Sequence, residues 1–283
     1  QASALVHDDI IDKADERRGM PTPHRTLADH HAARSWIGSS TDFGRHSAIL
    51  VGDFLFSAAT AAADEQALTL REDCARAFVR RFADMHAEVA LGQYLDITAE
   101  QIPLDPERTD ALSVSDSLEV ALHKSAHYSV VHPALLGAIC AAPSFDRVAG
   151  LLDVLETILT PWGLAFQLRD DDLGVFGDPA VTGKPAGDDL REGKRTALLA
   201  LTWEASSPAE RRALTDVLGV ADASAEQIAA ATDIVERNGH AAHEAEIARL
   251  VADGDAALEA STFDEGARAM LRELCSILTA RRS

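Results

Sequence analysis

Apolar residues return every three or four positions along almost the whole chain, which is the spacing of one buried face on an α-helix. The pattern predicts helices over 1–14, 26–36, 43–63, 71–97, 106–126, 128–141, 147–176, 195–204, 208–217, 224–237, 239–260 and 263–281. Turn residues separate them, among them Arg18-Gly19-Met20-Pro21, Gly38-Ser39-Ser40 and Ala142-Pro143-Ser144. No run alternates in the two-residue period of a strand. Residues 177–194 are rich in Gly, Pro, Asp and Lys and read as an ordered functional loop. With no repeat and no low-complexity linker, the expectation is an all-α fold: one domain over 1–283, built as a bundle of long, mostly antiparallel helices.

Composition agrees. Of 283 residues, 47% are hydrophobic and only 5% aromatic, a bias toward helix-forming Ala and Leu over sheet formers. The net charge of −20, from 46 acids and 26 bases, argues against nucleic acid as a partner. It also means that an anionic substrate needs metal cations or local basic residues to approach. Cys74, Cys140 and Cys275 are isolated, which disfavours disulfides and thiolate zinc sites and fits a reducing, cytoplasmic setting. No unbroken stretch of about 18 apolar residues appears, so no transmembrane segment is expected. No secretory signal is recognisable, and because Gln1 opens straight onto a helical pattern, sequence is expected to precede it.

Two acidic clusters alter this plain picture. In A-L-V-H-D-D-I-I-D (4–12), Asp8, Asp9 and Asp12 fall within one helical arc of about 100°, with Asp8 and Asp12 four residues apart. Like charges at that spacing destabilise a helix by some tenths of a kcal/mol, and partial burial adds to the cost. A solvated acidic face is one explanation. Clustered hard oxygens for Mg²⁺ and a phosphorylated substrate are another. The second cluster, F-Q-L-R-D-D-D-L-G-V-F-G-D (166–178), places Gln167, Asp170 and Asp171 on one face of an otherwise apolar segment. Basic residues accompany both: Arg17 and Arg18 after the first, Lys124 in L-H-K-S-A-H-Y, Lys184 in T-G-K-P, and Lys194 and Arg195 in G-K-R-T. Cations beside metal-binding carboxylates are what a diphosphate requires.

The motif H-D-D-I-I-D followed by R-R-G-x-P-T-x-H (7–24) resembles the first aspartate-rich region of trans-isoprenyl diphosphate synthases, the polyprenyl synthetase family, and is most similar to bacterial geranylgeranyl diphosphate synthases. Further landmarks follow in family order to about residue 200: F-G-R-H-S-A-I-L-V-G-D (43–53), G-Q-Y-L-D (92–96), K-S-A-H-Y (124–128), F-Q-L-R-D-D (166–171) and G-D-P-A-V-T-G-K-P-A-G-D-D-L-R-E-G-K-R-T (177–196). The resemblance implies an isoprenoid synthase bundle around a deep central cavity, usually homodimeric. It implies that Asp8, Asp9, Asp12, Asp170 and Asp171 hold about three Mg²⁺ ions on an allylic diphosphate. Arg17, Lys124, Lys184 and Lys194 would serve the diphosphates, Arg18 would contact isopentenyl diphosphate, and Gln167 and Ser125 would face the developing allylic cation. His7, His24 and His127 read as structural.

Three departures stand out. Gly174 occupies the place of the family's usual last Asp in the second cluster; Asp178 lies a turn further on, roughly 10 Å along the axis from Asp171. The usual N-terminal G-K-x-x-R-P segment is absent, consistent with sequence preceding Gln1. Ala4 and Ser3, four and five positions before the first Asp, are small where the resemblance puts the floor of the product cavity. An open floor predicts a product beyond C15, with C20 favoured, unless Phe54 or Phe56 closes the tunnel lower down. A longer-chain polyprenyl synthase is the near alternative. A class I terpene cyclase would usually carry N-D-x-x-S-x-x-x-E, and the chain has no Asn-Asp. A non-catalytic subunit would be expected to lose aspartates or the Lys124 region, and an acidic helical scaffold leaves the ordered motifs unexplained.

Overall fold

The computed structural model describes residues 1–17, 19–177, 187–220 and 222–279. About four-fifths of them are helical, and they cluster into two compact units, one over Gln1–Thr69 and one from Leu70 onward.

In the first unit, α1 (Ala2–Ile11) leads into a two-residue antiparallel pair, β1 (Glu16–Arg17) and β2 (Met20–Pro21), followed by α2 (Pro23–Ala33) and α3 (Ser40–Ala67). Two-residue strands are too short to show alternation, so the sequence pattern did not reveal this hairpin. Its turn contains Gly19 at φ +71°, a conformation that glycine adopts without a Cβ penalty. Pro23 opens α2 at a position where no backbone donor is needed, and the Ser39 hydroxyl caps α3 through Asp42 N–H. Both α1 and α2 pack on α3. A Cβ at Gly44 would stand 2.2 Å from the His24 carbonyl oxygen, and one at Gly52 would stand 2.1 Å from His7 Nε2. The glycines of the 43–53 motif are therefore contact points for the two preceding helices. The opposite face of α3 exposes Ile49, Leu50, Val51, Phe54 and Phe56, with Phe54 at 73%.

The second unit contains α4 (Glu72–Gln101), α5 (Val114–Ala121), a π-helical segment (Leu122–Val131), α6 (His132–Ala141), α7 (Phe145–Phe176), the short α8 (Asp188–Glu192), α9 (Ala197–Ala205), α10 (Pro208–Thr215), α11 (Ala225–Val235), a second π-helical turn (Glu236–His240), α12 (Ala241–Ala260) and α13 (Glu265–Thr279). Ser113 caps α5, so that helix starts later than its periodicity suggested, and the expected break at residue 127 does not exist. Capping boxes at Ser207/Glu210 and Ser224/Gln227 open α10 and α11. Trp162 and Trp203 are fully buried, and their indole N–H groups donate to the carbonyls of Val251 (3.3 Å) and Arg108 (2.9 Å).

By length and composition, α3 and α7 could each cross a bilayer, although no unbroken apolar run was found in the sequence. In α7 the apolar residues Ile158, Leu159 and Trp162 are consumed by the core of the unit.

The π-helical segment lies between α4 and α7 at very close range. A Cβ at Gly92 would sit 2.3 Å from the Lys124 backbone nitrogen, and one at Gly163 would sit 3.0 Å from Ala126. Backbone meets backbone at Gly92, so no side chain can rotate away. Gly92→Ala should therefore lower stability by about 1–3 kcal/mol despite alanine's better helix propensity. Urea unfolding checks this, and an equal or higher midpoint would show that the helices can separate freely.

Candidate functional site: two acidic helix faces

The first acidic face belongs to α1 and the hairpin. Asp9 is 2% exposed, Asp8 and Asp12 are half-buried, and Asp12 ends the helix in a right-handed helical conformation, which keeps its side chain in register with the other two. Arg17 reaches back from β1: its Nε–H donates to Asp9 Oδ1 at 2.6 Å and its Nη2–H to Asp8 Oδ2 at 3.1 Å. Burial pushes the Asp9 carboxyl above its usual range while Arg17 opposes the shift. Burial also works against the charge of Arg17, but the two carboxylates outweigh it and hold the guanidinium more firmly protonated. The hairpin is tied down by Thr22, whose hydroxyl donates to the Ala14 carbonyl at 2.8 Å. His7 approaches the Ile49 carbonyl at 3.2 Å, and His24 lies 3.1 Å from the Thr22 hydroxyl, as expected of structural histidines. Arg18 lies outside the described residues.

The second face is the C-terminal end of α7, within the other unit. Asp171 is 7% exposed and Asp170 is at the surface. Burial raises the Asp171 carboxyl well above the usual carboxylate range; Asp189 and Asp170 push the same way, while Gln167 and Lys194 oppose. Gln167 donates from Nε2 to Asp171 Oδ1 at 2.7 Å, so this amide positions the carboxylate. Lys194 Nζ lies 3.6 Å from Asp189 Oδ1 and 2.6 Å from Glu192 Oε2. Lys124 is paired with Asp96, the last residue of G-Q-Y-L-D, and Ser125 beside it is buried. Arg195 is a structural residue: it donates to the carbonyls of Gly193 (2.8 Å) and Glu100 (3.3 Å), and burial lowers its pKa. Lys184 and Asp178 fall outside the described residues.

Gly174 resolves differently from the sequence reading. A Cβ there would stand only 2.0 Å from Asp189 Oδ2. The space over Gly174 is thus filled by a carboxylate from α8, and the acid missing from α7 is present from another element. The donor chemistry of Asp170, Asp171 and Asp189 fits magnesium: hard oxygens, with neither thiolate nor imidazole among them.

A family profile described as polyprenyl synthetase matches residues 1–235. The chain belongs to the polyprenyl synthetase family. It is 31% identical over 237 residues to a geranylfarnesyl diphosphate synthase of Aeropyrum pernix, an alignment covering 83% of this chain and 64% of that protein. It is likewise 31% identical over 241 residues to a (2E,6E)-farnesyl diphosphate synthase of Mycobacterium bovis, covering 83% of this chain and 58% of the relative. The chain therefore spans about three-fifths of the length of these relatives. Among solved structures, a geranylgeranyl pyrophosphate synthase of Corynebacterium glutamicum, complexed with isoprenyl diphosphate and magnesium, superimposes with a TM-score of 0.88 at 38% identity, covering 100% of this chain and 76% of that one. The architecture is the all-α isoprenoid synthase fold.

Sequence reasoning missed Asp189 as a partner of the second cluster, although D-D-L-R was visible beside G-K-R-T. Only the fold shows that it stands over Gly174. Gly174→Ala should push the Asp189 carboxylate aside and weaken divalent binding at this cluster about tenfold. Free Mn²⁺ followed by electron paramagnetic resonance measures it; an isotherm superimposing on the parent's would remove Asp189 from the metal set.

Proposed function

We propose that this chain is the catalytic body of a trans-prenyltransferase that condenses an allylic diphosphate with isopentenyl diphosphate, acting as a homodimer with geranylgeranyl diphosphate (C20) as product. The observation that carries the reading is the second acidic face, which retains three carboxylates through Asp189 despite Gly174. A chain released from metal chemistry would have no reason to keep that charge at a buried position. On this reading Asp8, Asp9 and Asp12 of the first unit, and Asp170 and Asp171 with Asp189 of the second, would hold magnesium, about three ions in all, for the allylic diphosphate.

The chemistry is charge separation. The allylic C–O bond breaks to give a carbocation and diphosphate; the double bond of isopentenyl diphosphate attacks the cation, and a proton then leaves to the released diphosphate. Magnesium, when bound, supplies positive charge to the departing diphosphate. Arg17 and Lys124, now held by carboxylates, turn to the phosphate oxygens, with Lys194, Lys184 and Arg18 completing the basic set. Gln167 fixes Asp171, and its carbonyl oxygen, with the Ser125 hydroxyl, faces the cation. The exposed apolar face of α3, centred on Leu50 and Phe54, is the surface offered to a second copy.

Product length follows from the floor at Ser3 and Ala4. Phe54 is largely exposed, which argues against its closing a tunnel within one chain. A longer product remains the second reading, favoured by the likeness to a geranylfarnesyl synthase.

The test is extension of labelled isopentenyl diphosphate on farnesyl diphosphate by the full-length protein with Mg²⁺. C20 diphosphate is expected, with turnover abolished by EDTA and lowered roughly 10²–10³-fold by Asp171→Asn. Turnover unchanged by chelation would end the proposal. In the same assay Ala4→Phe should shift the product toward C15, and an unaltered distribution would place the floor elsewhere.

A further inference from the structure

Away from the aspartate clusters, four side chains converge on one point of the second unit. Glu88 of α4 receives His123 Nδ1 at 2.7 Å and His127 Nδ1 on its Oε1, and His132 Nε2 at 2.7 Å on its Oε2. His123 and His127 come from the π-helical segment, and His132 is the first residue of α6. The ligand atoms of Glu88, His123 and His127 all lie within 4.8 Å of one another. Their side chains are 21%, 27% and 16% exposed, which leaves one side open to solvent. His132 is 4% exposed, and its Nδ1 has no hydrogen-bond partner among the described residues.

We infer that Glu88, His123 and His127 form a binding site for a borderline divalent transition metal such as Zn²⁺ or Co²⁺, separate from the magnesium-binding aspartates, with water as fourth ligand and His132 as a positioning residue for Glu88. The donor set decides the metal class. Two imidazoles and one carboxylate suit zinc and cobalt, whereas magnesium prefers oxygens and keeps its waters. A tetrahedral zinc ion with bonds near 2.0–2.1 Å separates its ligand atoms by about 3.3 Å. Nitrogen and oxygen atoms now in hydrogen-bond contact need to part by less than an ångström, which rotamer adjustment at the open side permits. On the other carboxylate oxygen, His132 supplies the outer hydrogen bond that metal-ligating carboxylates typically have. Lys124 follows His123 directly, so an ion here ties α4 to the segment that carries Lys124.

The test is a Co²⁺ titration of the intact protein in excess Mg²⁺, which occupies the all-oxygen clusters. One tightly bound equivalent with the intense visible absorption of four-coordinate cobalt is expected, displaced by one equivalent of Zn²⁺. His127→Gln and His123→Gln should each abolish it. His132→Gln should weaken it roughly 10- to 100-fold without changing the stoichiometry. A doubly substituted Asp8→Asn, Asp171→Asn protein should retain the signal, which keeps the test decisive if a histidine variant fails to fold. No four-coordinate band in the parent, a band surviving in folded His127→Gln, or its loss in the aspartate variant would each overturn the proposal.

Discussion

A carboxylate removed from water has to be met by a cation or by hydrogen-bond donors, and this requirement organises the chemistry on both units. Leaving such a charge unpaired costs several kcal/mol, and even a well-paired buried ion pair is often no more stable than apolar residues of the same volume. Asp9 is met by Arg17 and Asp96 by Lys124. Among the described residues Asp171 is met at close range by the amide of Gln167, and burial together with neighbouring acids drives its carboxyl upward. Stability does not account for these placements. They are intelligible as a site kept ready for additional positive charge.

The motif G-Q-Y-L-D shows how fold and chemistry share one helical face. Gly92 and Asp96 are four residues apart on α4 and so point the same way. The absence of a side chain at Gly92 brings the backbone of Lys124 to contact distance, and Asp96, one turn on, receives the ammonium group of the same lysine. Close approach and charge pairing thus fix both ends of one residue. The π-helical turn between α5 and α6 adjusts the path of the chain so that Lys124 and Ser125 sit at this contact while Ala126 fits against Gly163 on α7.

What the sequence revealed, and what it did not, follows from the range of the interactions involved. Long helices such as α4, α7 and α12 were legible because a buried face repeats over many turns. The first aspartate cluster was legible for the same reason, being local to one helix. The extent of α5 and its uninterrupted continuation into α6 were not, since a π-helical stretch alters the period on which such reading depends. The β1–β2 hairpin was too short to leave a pattern. Asp189 and the convergence of Glu88 with three histidines were invisible because their partners are distant in the chain. His127 was read as structural, and it is hydrogen-bonded to Glu88, to which nothing in its sequence neighbourhood pointed. Arg18 and Lys184 fall outside the described residues.

The exchange of an acid on α7 for one on α8 has a consequence for how the second cluster works. An aspartate at position 174 would be fixed by the helix itself. Asp189 instead stands over Gly174 only while α8 is docked, through the Gly187 N–H donating to the Val175 carbonyl at 3.1 Å and through buried Leu190. Its carboxylate also repels Asp171, so docking carries an electrostatic penalty that a bound cation reverses. If the cluster binds a cation as proposed, cation binding and α8 docking favour each other by the same free energy, because coupling between two equilibria is reciprocal. In the proposed enzyme, metal arrival would therefore fasten α8 against α7, along with Lys194 two residues beyond it, and the basic end of the site would be set in place by the charge it is meant to balance.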